Sequence, residues 1–285
     1  MAVLLGLLAS VSIGVSDFVA GLAARRLAPL TVLVLSQASG LTALLVALPF
    51  LLGDPVTGGA LGWGAAAGIL GALGLIFIYR GLARGRMSIV APTSAVIGAA
   101  IPVLVGILLG ERPAPLAIAG LGVALLAIAL ISSVPEPPRT AARNVDLPHH
   151  RTGLGDAILS GVFFAGFFLA FNEAGDAGGG AWPLLAARAT SVTLFGLVAL
   201  GRGVPLRAGP LLPRLVVIGI LDTSAILMVL VASRLGVIPT VAVLTSLHPA
   251  TTVVLARTLL RERISPVQPA GLVAAGLGVG LISAG

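Results

Sequence analysis

The chain has no cysteine, and although seventeen residues are basic, every one of them is arginine; lysine is absent. Without cysteine there is no disulfide framework and no thiolate metal centre. Charged residues of either sign make up only 9% of the 285 residues, against about a quarter in a typical soluble domain. Aromatic residues are equally scarce at 4%. No glycine-rich loop ends in Gly-Lys-Ser/Thr, which excludes an ATP-driven motor of the P-loop kind, and no His/Asp/Glu cluster has metal-ligand spacing. No cofactor is expected. HHRTGLGD, 149 to 156, has the wrong His-to-Asp spacing for an acyltransferase box. Three histidines and few interfacial carboxylates give a membrane enzyme little to work with.

What fills the chain is apolar: 58% of residues are hydrophobic and the mean hydropathy is +1.13. The apolar residues come in blocks of roughly 20, enough to cross a hydrocarbon layer of ~30 Å as a helix. A membrane barrel would show short alternating segments instead. The sequence therefore predicts an all-α polytopic membrane protein. The net charge of +7 reflects arginines at the ends of apolar blocks, so the surface is suited to a lipid bilayer rather than nucleic acid. The opening MAVLLGLLAS lacks the basic stretch of a cleaved signal, so the first helix is expected to stay.

Cutting at charge and Gly/Pro clusters predicts ten spans, near 2–24, 30–52, 60–79, 87–109, 114–134, 154–173, 182–200, 211–232, 237–260 and 266–284. A polar linker rich in proline, 135–153, divides the chain into a first half, 1–134, and a second, 154–285. The halves resemble each other at one constant offset of 151 residues. Gly85, Ala91, Leu108, Leu109, Glu111, Arg112, Pro115, Ala119, Gly120 and Leu121 recur as Gly236, Ala242, Leu259, Leu260, Glu262, Arg263, Pro266, Ala270, Gly271 and Leu272. Five spans per half is an odd number, so the second half would enter the membrane from the opposite side. Inverted repeats of this kind characterise many secondary transporters, whose substrate site lies between the repeats near the midplane.

Arginines crowd the odd-numbered connections, whereas the even ones carry only Arg112 and Arg234. The positive-inside rule would then put both termini outside.

VAVLTSLHPATTVVLARTLLRERISPVQPAGLVAAGLGVGLIS, 241 to 283, has Pro249 thirteen residues before Glu262, a short polar corner and a Gly-rich final helix. It resembles the end of the EamA-type repeat of the drug/metabolite transporter superfamily. The opening LLASVSIGVSDFVAGLAARRLAP is similar to that family's first helix. The resemblance implies ten spans, a central cavity between inverted halves, and transport of small metabolites such as amino acids without ATP. It also implies cytoplasmic termini, against the arginine count. In the first half Gly98 stands where Pro249 would match, with Pro92 and Pro102 nearby.

Polar residues inside spans mark the candidate site, because a charged side chain at mid-helix costs roughly 2.5–3.5 kcal/mol on insertion scales and turns toward protein or water. Asp17 shares one helix face with Ser10, Gly14 and Gly21. Asp222 is more central to its span. Arg188, the one arginine well inside a span, falls opposite Gln37 at the 151-residue offset and calls for a carboxylate partner, Asp222 or Asp17. His248 shares a face with Thr245 and Thr252 and could carry a proton. Pro249 frees the carbonyl of Thr245. Five of the nine phenylalanines lie in span six, Phe164 and Phe168 among them, and would pack or form an aromatic wall. Gly64 with Gly68, and Gly276 with Gly280, allow close helix approach, the latter between spans five and ten.

The expected function is secondary transport of a small organic metabolite, amino-acid-like or drug-like, by an exporter of the bacterial plasma membrane working by alternating access, with proton coupling through Asp17, Asp222 or His248. The alternatives are a non-transporting membrane protein, either a lipid-substrate enzyme or a scaffold subunit, and a passive facilitator. The oligomeric state is open.

Overall fold

A computed structural model describes residues 1–51, 55–110, 114–132, 153–235, 248–261 and 267–284. All regular structure among them is helical, as a bilayer requires of a chain whose backbone groups must find partners internally. The helices are α1 (Ala2–Ala24), α2 (Pro29–Ala47), α3 (Gly58–Arg84), α4 (Met87–Leu108), α5 (Pro115–Ser132), α6 (Leu154–Asp176), α7 (Trp182–Gly201), α8 (Leu212–Leu235), α9 (His248–Leu259) and α10 (Gln268–Ala284). Seven of them, α1 to α4 and α6 to α8, are long and apolar enough to cross a membrane; α5 and α10 contain shorter apolar stretches, 115–127 and 269–282. Seven of the ten expected spans are thus met at full length. Residues 237–247 of expected span nine lie outside the described residues, as do Thr245, Pro239, Glu111–Arg112, Glu262–Arg263 and all of the linker but Gly153.

Local chemistry explains the helix ends. Thr57 caps α3 by accepting a hydrogen bond from the Ala60 amide, and proline opens α2 at Pro29, where its missing N–H is no loss. One expected boundary is corrected. The charges at Arg80 and Arg84 suggested that span three stops at residue 79, yet α3 runs through both. Arg80 does not end the helix because its charge is answered: its Nε and Nη2 donate to Asp156 Oδ1 at 2.8 and 2.5 Å, and its guanidinium also lies 4.9 Å from the ring centroid of Phe77.

Small residues let the helices approach. Gly64 and Gly68 of α3 lie against the backbone of Pro183 and Ala187 in α7, and Gly14 of α1 against the His248 carbonyl and Thr251 of α9. Without a hydrophobic force between helices in lipid, such close packing is what holds them together. The α5–α10 contact is also a small-residue one, but a correction applies: it is made at Gly120 and Gly278, not at Gly276 and Gly280. Helix α10 turns a different face to α5 than the four-residue glycine spacing suggested.

The pattern of packing is reciprocal between the halves. Helix α3 lies along α6 and α7, and its counterpart α8 lies along α1 and α2. Helix α4 packs on α6 as α9 packs on α1, while α2 with α7, α4 with α9 and α5 with α10 pair directly with their own equivalents. Individual residues repeat the relation. Ser191 donates a hydrogen bond to the Gly68 carbonyl at 2.9 Å, and the positions 151 residues away, Gly40 and Gly219, also abut. The reciprocity is incomplete: α1 packs on α3 at Gly21 and Leu82, whereas α6 and α8, the equivalent pair, share no extensive contact.

Candidate functional site

The reciprocal packing makes one prediction that can be read directly: a residue and its own equivalent should meet where the halves join. Gln37 and Arg188, 151 residues apart, do so. Arg188 Nη1 donates to Gln37 Oε1 at 2.5 Å. The other side of the guanidinium donates to Asp222 Oδ2 and forms an ion pair with it. Arg188 is only 6% exposed and Gln37 is buried with it. A guanidinium at this depth is tolerated because its charge is balanced by Asp222 and a second N–H has an acceptor in Gln37.

Asp17 belongs to the same neighbourhood. It interacts electrostatically with Asp222, and no salt bridge reaches it among the described residues. Tyr79, the one tyrosine of the chain, completes the group. It is buried, its hydroxyl shares a hydrogen bond with Ser36, and it lies within electrostatic reach of Asp222, Asp17 and Arg188. Ser36 in turn donates to the Leu33 carbonyl at 3.3 Å. Five helices therefore contribute: α1 (Asp17), α2 (Ser36, Gln37), α3 (Tyr79), α7 (Arg188) and α8 (Asp222).

The orientation of these side chains follows from the exposed stripes. Leu4, Leu7, Leu8 and Val11 form the lipid-facing stripe of α1, Val216, Val217 and Ile220 that of α8, and Ile158, Leu159 and Val162 that of α6. Asp17, Asp222 and Phe168 lie roughly 125–165° around their helices from the centres of those stripes, at about 100° per residue. They point inward. Yet the Asp222 side chain is 30% exposed and Phe168 is 54% exposed, and Asp17 is half-buried. Ile13, Phe164 and Phe171, which share the inward sides of α1 and α6, are also only half-buried. They lie on the side where α6 shares no extensive contact with α1 or α8.

The phenylalanines have two roles. Phe164 seats on Gly74 and Phe167 on Gly71, fastening α6 to α3, while Phe167 stacks on Phe171 with centroids 5.5 Å apart. Phe168 meets Phe167 edge-on and keeps most of its ring free. His248 heads α9 and is half-buried, and its backbone carbonyl lies against Gly14, one turn from Asp17. Thr252 on the same face is committed to packing, donating to the Gly14 carbonyl at 3.0 Å. At the other end of α3 and α6, a cleft bordered by Pro55, Thr57, Gly175 and Gly178–Gly180 offers one hydroxyl, and Thr57 donates that to the Ala177 carbonyl at 2.9 Å.

The model of the EamA-like transporter family matches the sequence twice, over residues 1–133 and 152–284. The chain belongs to the EamA-like transporter family. No curated protein matches it. As a member of this family it is a multi-pass membrane protein of the drug/metabolite transporter kind. In this EamA-like chain Gln37, Arg188 and Asp222 meet from helices far apart in sequence, with Asp17 in electrostatic reach of Asp222, while Phe164 and Phe168 belong to α6, which packs on α3 and α4. Sequence reasoning passed over Tyr79 and Ser36. The signal for the first was present: a lone tyrosine within a span needs a partner for its hydroxyl.

Proposed function

We propose that this protein is a secondary transporter of a small organic metabolite, amino-acid-like or drug-like, working by alternating access between two inverted five-helix repeats, each half contributing five spans. One observation carries the reading: the Gln37–Arg188–Asp222 network joins equivalent helices of the two halves at their meeting point, bordered by partly exposed interior side chains. An enzyme acting on a lipid-linked substrate would gather its polar groups at a membrane face; here they lie inside the bundle, far from the helix ends. A scaffold subunit would have no use for an inward-facing carboxylate that no salt bridge answers among the described residues. Reciprocal packing between the halves supports the inverted arrangement, since two like bundles exchanging contacts in this way are related by a two-fold, the geometry by which repeats rock about a fixed site.

The direction proposed is export across the bacterial plasma membrane, with protons as coupling ion and Asp17 or Asp222 as carrier. The substrate site comprises Asp17, Gln37, Arg188, Asp222 and His248, shaped by Thr245, Phe164 and Phe168. The test compares metabolites in cells and medium with and without the gene by mass spectrometry, then follows the responding solute in proteoliposomes. Asp222→Asn is expected to abolish pH-gradient-driven flux. Undiminished flux removes Asp222 from the mechanism, and accumulation that never exceeds equilibration identifies a passive facilitator instead.

A further inference from the structure

Counting charge at the site shows what it lacks. Arg188 is engaged on both sides, by Asp222 and by Gln37. Its single positive charge is therefore already balanced by one carboxylate. Asp17 stands beside Asp222 as a like charge, with no salt bridge among the described residues. The uncharged groups around it, Tyr79, Ser36 and Gln37, are hydrogen-bonded to others. With the carboxyls ionised, the cluster carries one negative charge more than it balances. In a medium of low polarity an isolated charge is costly, and a positive group beside Asp17 would relieve the excess.

The opposite wall fits the same guest. Phe168 stands at the position equivalent to Asp17, since 168 − 17 equals the 151-residue offset, and the two-fold turns both toward the interior. Helices α1 and α6 share no extensive contact, so the carboxylate and the ring sit on helices that do not pack along each other. Phe168 is far more exposed than an inward aromatic with a packing role would be. An aromatic face attracts a cation through its quadrupole, by about 0.5–2 kcal/mol depending on desolvation. A carboxylate on one side and a free ring on the other suit a compact ammonium group and disfavour an anion.

We propose that an interior space receives a small organic cation, an amine bearing one positive charge, with Asp17 as its counter-ion and Phe168 as the aromatic surface against which it rests. This deepens the transporter reading and depends on it.

The experiment compares the metabolites of cells and medium for three strains at equal membrane abundance of the protein: gene absent, wild type and Asp17→Asn. Gene-dependent solutes are sorted by retention on a cation exchanger at neutral pH. The expected result is that they are retained as amines, that Asp17→Asn lowers their flux at least tenfold, and that Asp17→Glu keeps it within threefold. Exchange of the identified amine across proteoliposomes at equal concentration on both sides needs no driving gradient, so a tenfold loss there reports recognition rather than coupling. Should Asp17→Asn fail to reach the membrane, Phe168→Ala and Phe168→Trp serve in its place: the first lowers amine exchange severalfold and the second retains it. Gene-dependent solutes that are anions or neutral molecules, or amine exchange undiminished in Asp17→Asn, overturn the proposal and leave the transporter standing. A profile with no gene-dependent solute overturns both.

Discussion

Removing the Asp222 carboxylate without changing its shape, as Asp222→Asn does, leaves Arg188 with Gln37 as its remaining partner. The guanidinium is 7% exposed at the side chain and the carboxylate 30%. Breaking a fully buried pair by deleting one member costs about 3–5 kcal/mol, because the surviving charge is stranded. The partial exposure of Asp222 admits solvent and reduces the figure to roughly 2–3 kcal/mol. The reverse truncation, Arg188→Met, strands Asp222 beside Asp17 and is expected to cost as much or more, since two like charges are then left together. The double variant removes both members, and its cost is expected to fall short of the sum of the single costs by about 1–2 kcal/mol, the coupling of an interacting pair. Reversible unfolding of the purified protein in mixed micelles, followed by helical ellipticity against rising SDS fraction, measures all four corners of the cycle. Additive costs, or single variants as stable as the parent, would refute the claim that this pair holds α7 to α8.

Three further outcomes follow from the packing. Gly68→Leu is expected to prevent accumulation of folded protein, because a side chain there meets the backbone of Ala187; immunoblotting of solubilised membranes after size exclusion measures it. Arg80→Ala is expected to cost only about 0.5–1 kcal/mol, as its pair with Asp156 is part-exposed at 37% and 15%, within the range of surface pairs; the same SDS unfolding checks it, and a loss above ~3 kcal/mol contradicts it. Since the chain has no cysteine, single-cysteine reporters have a silent background: Phe168→Cys should react with a water-soluble maleimide in intact membranes and Phe195→Cys, whose parent side chain is buried at 1% exposure, should not.

Much of the bundle could be read from the residues because in a membrane composition and period do most of the specifying. Long apolar blocks between arginines gave the helices, and the 151-residue offset that aligned Gln37 with Arg188 on paper proved to be a contact in space. The partner of Arg188 followed from the cost of a stranded charge, which leaves few carboxylates to choose from. What misled was reading each charge as a helix end. Arg80 sits within α3 because Asp156, at the start of α6, reaches it across 76 residues, and no local pattern announces a long-range partner. Tyr79 was overlooked for a related reason: its neighbours Ser36, Asp17 and Asp222 come from three other helices, and only the fold brings them together. The choice of Gly276 and Gly280 failed because four-residue spacing names a face without saying which face its neighbour uses.

The duplication made the scaffold symmetrical and left the chemistry lopsided. Asp17 has Phe168 as its equivalent, Asp222 has Gly71, Tyr79 has Leu230 and Arg188 has Gln37. Ionisable groups thus sit on α1, α7 and α8, and the aromatic surface on α6. A symmetrical pocket would offer a guest the same surroundings from either half; the proposed one would offer charge from one side and a ring from the other. The packing is lopsided in the same sense. Helices α1 and α3 meet at Gly21 and Leu82, while the equivalent positions on α6 and α8, 172 and 233, belong to helices that stand apart. Gly21 permits close approach by having no side chain, whereas Asn172 at the equivalent position is exposed. A rocking motion that exchanged the two arrangements would separate α1 from α3 as α6 moved onto α8. Because Phe168 lies one turn before Asn172 on α6, and Asp222 lies on the inward side of α8, the closure would carry the ring toward the carboxylates. On the proposed transport cycle the asymmetry of the site and that of the packing would share one physical origin: equivalent backbones carrying unlike side chains at equivalent positions, which would decide which pair of helices closes.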